Sequence, residues 1–177
     1  MALDEATDIR FWAKLVLASV EKDEQTRLDD AAENVQEVCK QARALFPVGQ
    51  LDDVADVLRD IRGKSQGLGT GTNAYCIFEG RNGYVQFMAD VDGREFLCEV
   101  QSHHYYAPVQ MHLTDEVVGL LAGCGFQWPK GEQNFSRWLT VDGDDGIFNL
   151  AEFILGILNK VFGHCQNDAL TMKSYLP

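Results

Sequence analysis

The sequence predicts an α+β domain: an antiparallel meander sheet of three strands plus a fourth, packed with helices, behind an N-terminal helical hairpin. Three observations predict it. Residues 75–101 alternate apolar and polar side chains with the period of a strand. Asn82-Gly83 and Asp92-Gly93, the dipeptides favoured by two-residue hairpin turns, interrupt that alternation twice. Segments on both sides carry apolar residues at helical spacing. A chain of 177 residues suits one domain with an appendage. It divides into a helical hairpin over 1–47, an α+β domain over 48–165 and a loosely held tail over 166–177.

The hairpin's first arm is expected over 5–20, where Ile9, Trp12, Leu15, Val16 and Val20 recur at helical spacing. The second arm is expected over 24–46. Leu28, Ala32, Val35, Cys39, Ala42 and Phe46 mark its apolar stripe, and Pro47 and Gly49 end it. Two roles fit such a pair: a cover for the body of the protein, including one face of the sheet, or a coiled-coil-like dimerisation arm. A third helix is expected over 51–61, with Val54, Val57, Leu58 and Ile61 inward.

Gly63-Lys64-Ser65 then resembles part of a phosphate-binding loop. That loop needs a strand before it, a helix after it and a glycine where Leu58 stands, so a flexible connector over 63–72 is the expectation.

In the meander, two type I′ turns would set the register. The second hairpin pairs Ala89 with Phe96, Phe87 with Cys98 and Val85 with Val100; Met88 meets Leu97, Gln86 meets Glu99 and Tyr84 meets Gln101. The first would pair Phe78 with Phe87, Cys76 with Ala89, Glu79 with Gln86 and Ile77 with Met88. One face is then apolar throughout. The other presents Tyr75, Ile77, Tyr84, Gln86, Met88, Leu97, Glu99 and Gln101, a mixture typical of protein-binding patches rather than of a solvated sheet.

Beyond the meander, Thr114 is placed to cap a fourth helix, with Asp115 and Glu116 at its positive end and Leu113 able to staple to Val118. Gly123 and Gly125 stop it, Phe126-Gln127-Trp128-Pro129 forms an aromatic turn, and 135–141 has strand character. Asp142-Gly143-Asp144-Asp145-Gly146 resembles a calcium loop. With Gly146 sixth and Glu152 twelfth, however, the first and third places fall on Val141 and Gly143, which supply no carboxylate. An acidic turn opening a helix over 147–162 is the better account. That helix is apolar around most of its girth, so it needs burial on two sides.

Composition bounds the partners. A net charge of -12 with no Lys/Arg cluster argues against nucleic acid and anionic membrane. No apolar run approaches the length of a membrane span, and the acidic start is unlike a signal peptide, so a cytoplasmic protein is expected. Cys39, Cys76, Cys98, Cys124 and Cys165 contain no CxxC pair and read as buried free thiols in a reducing compartment. His103, His104 and His112 invite a metal, but adjacent histidines on an extended segment diverge and no Cys or carboxylate joins them. No cofactor and no metal are expected. Cys98 with His103 is the one pair to weigh for catalysis, and alternation turns Cys98 into the core, where a thiol is inert.

Tyr84-Val85-Gln86-Phe87, Glu99-Val100-Gln101-Ser102, Gly125-Phe126-Gln127-Trp128-Pro129, Asn134-Phe135 and a final helix ending in Val161-Phe162-Gly163 fall in an order that resembles the TY-Chap domains. Those domains are similar in turn to YbjN-like proteins and to type III secretion chaperones. The resemblance covers about residues 48–165. It implies a non-enzymatic, chaperone-like or adaptor domain, often a homodimer, that binds another protein. The outer sheet face, with Tyr75, Ile77, Tyr84, Gln86, Met88, Leu97 and Glu99, is the expected binding surface. The alternative is a small-ligand or metal sensor using His103, His104, Tyr105 and Tyr106.

Overall fold

The computed structural model describes residues 24–68, 74–102, 113–129 and 133–175. The helix expected over 5–20 and the histidine-bearing connector at 103–112 lie outside them. Four helices and five strands follow in the order α1 (Glu24–Leu45), α2 (Val48–Gln66), β1 (Tyr75–Glu79), β2 (Tyr84–Ala89), β3 (Glu95–Val100), α3 (Asp115–Gly123), β4 (Phe135–Thr140), α4 (Gly143–Phe162) and β5 (Thr171–Tyr175). The strands form one antiparallel sheet in the order β4-β3-β2-β1-β5.

The second hairpin has the expected register, from Val85 opposite Val100 to Ala89 opposite Phe96. Its turn differs from type I′. Only Gly93 has positive φ (64°), and its amide donates to the Asp90 carbonyl, so the left-handed position follows the turn instead of filling its centre.

The first hairpin is corrected by two residues. Phe78 faces Val85, Cys76 faces Phe87, Ile77 faces Gln86 and Glu79 faces Tyr84. A four-residue loop, Gly80 to Gly83, replaces the two-residue turn, closed by the Gly80 amide on the Gly83 carbonyl at 2.9 Å. Asn82 and Gly83 serve tertiary packing here. Asn82 Nδ2 donates to the Phe162 carbonyl at 2.9 Å, and a Cβ on Gly83 would sit 2.4 Å from the Phe162 ring. A slip of two keeps every side chain on its face; a slip of one would have reversed them.

The inner face is the core face. Cys76, Phe78, Val85, Phe87, Ala89, Phe96, Cys98 and Val100 are all fully buried. Against them lie α2, through Leu51, Val54, Leu58 and Ile61, and α4. Helix α4 is buried from Ile147 to Phe162 nearly all round, because α1 packs on its far side. Gly156 marks the crossing, where a Cβ would lie 2.5 Å from Val38 Cγ1. The seat of α1 runs through Ala31, Val38, Cys39, Ala42 and Phe46. Ala32, expected on that stripe, is exposed, since Ala31 and Val38 take the face turned to the body. From Ala31 onward the stripe is therefore used within the chain, against α4. Helix α1 does not cover the outer face of the sheet.

Three further expectations are revised. Helix α2 runs from Val48 through Gln66, so Gly63, Lys64 and Ser65 are helical and Pro47 opens the helix it was expected to precede by several residues. Helix α4 begins at Gly143, taking the acidic turn into its first turn. Residues 171–175 are not a loose tail: they form β5, paired along β1 from Tyr75–Tyr175 to Glu79–Thr171. All five are exposed, so no apolar alternation announces the strand. What holds it is the ladder, a Tyr75–Tyr175 ring stack at 4.7 Å and the Lys173–Glu79 pair at 2.9 Å. The cap on α3 is as expected, Thr114 Oγ1 accepting from the Val117 amide.

Candidate functional site

Alternation sends Tyr75, Ile77, Tyr84, Gln86, Met88, Leu97 and Glu99 to one face, and the register arranges them in rows. Trp138, Leu97, Met88, Tyr75 and Tyr175 face one another in succession across all five strands. The neighbouring row reads Ser136, Glu99, Gln86, Ile77 and Lys173. The first row is apolar and aromatic from edge to edge; the second carries the polar groups. Both lie on the face opposite the core, whereas α2 and α4 meet the buried inner face. Within the first row Met88 and Leu97 are only 7% and 4% exposed, and Tyr75 is half-buried.

Glu99 is the charged group at the centre of this face. Gln86 Nε2 donates to its Oε2 at 3.2 Å, and burial pushes its carboxyl up to about 7. Among the described residues no cation pairs with it. Tyr84 is fixed at both ends. Its hydroxyl accepts from Asn134 Nδ2 at 3.3 Å, and its amide donates to the Gln101 side chain at 3.2 Å. The Gln101 amide returns a bond to the Tyr84 carbonyl, so Gln101 is spent on holding the strand end and is 6% exposed. Asn134 Oδ1 also accepts from the Ser102 amide, tying the entry of β4 to the exit of β3.

Trp138 and Tyr175, which complete the first row at its two ends, were missed from sequence. Trp138 lay on an expected strand whose partner was not assigned, so its face was open; its parity against Leu97 would have found it. Tyr175 lay in the segment taken for a tail. Trp138 Nε1 is buried with no acceptor.

The other candidate chemistry is dispersed. Cys98 is fully buried among the inner-face residues, and burial pushes its thiol well up; Cys39 rises to about 12 and Cys124 to about 11 by the same cause. His103, the partner weighed for Cys98, and the sensor residues His104, Tyr105 and Tyr106 lie outside the described residues. Glu152, which occupied the twelfth place of the calcium-like loop, is fully buried on α4 and takes two bonds from Arg43, at 2.6 and 2.8 Å. Asp144 of the same loop receives Arg59 of α2 at 2.7 and 2.9 Å, and that pairing holds its carboxyl below the usual range. Among the described residues no three metal-ligating side chains come together, and no helix is long and apolar enough to cross a membrane. Comparison with family models, curated proteins and solved structures matched nothing.

Proposed function

We propose that this protein is a non-enzymatic protein-binding module, chaperone-like or adaptor in kind, acting in the cytoplasm through the outer face of its sheet. The observation that carries the reading is the unbroken row of Trp138, Leu97, Met88, Tyr75 and Tyr175 across five strands, turned away from α2 and α4. Aromatic residues and Met flanked by a few polar groups are what interaction surfaces select. A solvated sheet face would carry alternating charge. The resemblance to TY-Chap and type III secretion chaperone-like domains supports the same reading, as does the placing of every cysteine but Cys165 in the interior. Self-association as a homodimer belongs to it too, with α1's stripe already committed to α4.

The test is affinity capture from native lysate with mass spectrometry of what is bound. Wild-type protein is expected to retain one stoichiometric partner. The Tyr84→Lys, Met88→Lys variant is expected to lose it while keeping its far-ultraviolet dichroism, with Tyr75→Lys as a second variant at a half-buried position. Capture unchanged in both folded variants would remove the outer face as the binding surface.

A further inference from the structure

All five residues of β5 are exposed, whereas β1 beside it carries the fully buried Cys76 and Phe78. A strand that buries nothing and hangs on exposed backbone hydrogen bonds belongs to the part of a fold that opens first. The segment leading to β5 is fastened separately. The Asp168 amide closes a turn on the Cys165 carbonyl at 2.9 Å, Gln50 Nε2 donates to the Gln166 carbonyl at 2.7 Å, and Leu170 packs against the core. Residues 171–175 can therefore lift from β1 while their approach stays in place. The other end of the sheet differs. There the Gln127 amide donates to the Ser136 carbonyl at 2.8 Å, so a piece of chain already meets the outer side of β4.

The register shows what the β1 edge accepts. On the outer face Glu79, Ile77 and Tyr75 stand opposite Thr171, Lys173 and Tyr175; on the inner face Phe78 and Cys76 stand opposite Met172 and Ser174. Tyr75 offers a ring, taken by Tyr175 at 4.7 Å, and Glu79 offers a carboxylate, taken by Lys173 at 2.9 Å. Ser174 is the weak match, since a β-branched residue suits a strand and its cross-strand pair better than serine does. A strand reading apolar, basic, β-branched, aromatic keeps every contact of β5 and improves one.

We propose that β5 is a placeholder on a peptide-binding edge, displaced by an extended segment of a partner protein that carries a basic residue, a β-branched residue and an aromatic in succession. The ladder along β1 supplies affinity, and Tyr75 and Glu79 supply register and selectivity. Being tethered, β5 competes at a roughly millimolar effective concentration, so the partner binds the closed chain more weakly than the open edge. This goes beyond the outer-face reading, because the surface is an edge rather than a face.

The probe is a fluorescent peptide, Leu-Thr-Met-Lys-Val-Tyr, which is the chain's own 170–175 with valine in the place of Ser174. It is titrated by anisotropy into full-length wild type and into the full-length Lys173→Pro, Ser174→Pro variant. Successive amides of a strand point to opposite sides, so one of the two prolines removes a ladder amide whichever way β5 is turned. The variant is expected to bind about tenfold more tightly than wild type, and the bound peptide to protect β1 amides from hydrogen exchange. Adding Tyr75→Ala should weaken binding about fivefold or more. Lys173→Glu, which sets a second carboxylate beside Glu79, repeats the test without proline and should tighten binding about twofold. Equal affinity in wild type and variants, protection elsewhere than β1, or no binding to any of them overturns the proposal. Weaker binding by the variants overturns it too, because β5 would then be the platform to which the peptide adds. The outer face stands or falls apart from these results, on capture by its own variants.

Discussion

Glu152 shows how one side chain can read as a ligand and serve as a joint. It lies fully buried in the middle of α4, and its two oxygens take both donors offered by Arg43 of α1. Arg43 keeps most of its own surface in water. The pair is therefore asymmetric, and so are its failures. Arg43→Ala strands a carboxylate in the interior, whereas Glu152→Leu removes the charge and leaves Arg43 hydrated. Arg43→Ala is expected to lower Tm by roughly 5 °C or more, and by more than Glu152→Leu does. Thermal melts of the two variants decide it, and the reverse order would deny the pair its role. From sequence, Glu152 stood only as the twelfth place of a calcium-like loop. The pairing depends on the register of α1 against α4, which no local pattern records.

At the level of elements, the two hairpins carry the same class of dipeptide with different outcomes. Asp92-Gly93 ends a turn whose register was readable although α2 also meets it, Gln66 Nε2 donating to the Asp92 carbonyl at 3.3 Å. Asn82-Gly83 is drawn onto the end of α4, and the loop widens to make that contact. Strand β5 escaped notice because it buries nothing, whereas β1 to β3 were legible because one face of each is wholly buried. At the α1–α4 crossing the two helices approach closely. A Cβ at Gly156 would meet Val38 Cγ1 at 2.5 Å and the Val38 carbonyl at 2.8 Å, so α1 must move if one is added. Gly156→Ala is expected to cost about 1–3 kcal/mol by chemical denaturation. Val38→Ala should recover only part of this, since the backbone contact stays. A neutral Gly156→Ala would mean the helices do not cross there.

Over the whole molecule, two titrating groups, His164 buried and Glu99 half-buried, set opposite limits on stability. His164 closes α4, 1% exposed, stacked on Phe46, with neither ring nitrogen bonded. Burial lowers its pKa below 6.5, partly offset by Asp168. The unfolded chain then binds the proton more readily, so stability is full above pH 6.5 and is lost as pH falls through the folded value. Glu99, raised from 4.5 to about 7, does the reverse: its contribution is full below pH 4.5 and lost as pH rises to about 7. Glu99→Gln should match wild type near pH 4 and exceed it by about 1–3 kcal/mol above pH 7. His164→Leu should gain on wild type only in acid. Denaturant titrations at pH 4, 6 and 8 test both, and a pH-independent difference in either variant would refute its assignment. The candidate site itself was legible as a face, because even a slip of two residues preserves parity. Its two ends were not, because one depended on a strand pairing and the other on a strand without a signal.

The pairing of β1 with β5 also has a consequence in time. During synthesis Tyr75 emerges about 100 residues before Tyr175, a delay of roughly 5–20 s at ordinary elongation rates. Throughout it β1 has β2 on one side and an open edge on the other, with fully buried residues such as Phe78 already in the strand. An open edge of that kind is a template for any passing strand. The most vulnerable moment for this protein is therefore its birth, and the exposed, weakly apolar β5 earns its place by ending that interval.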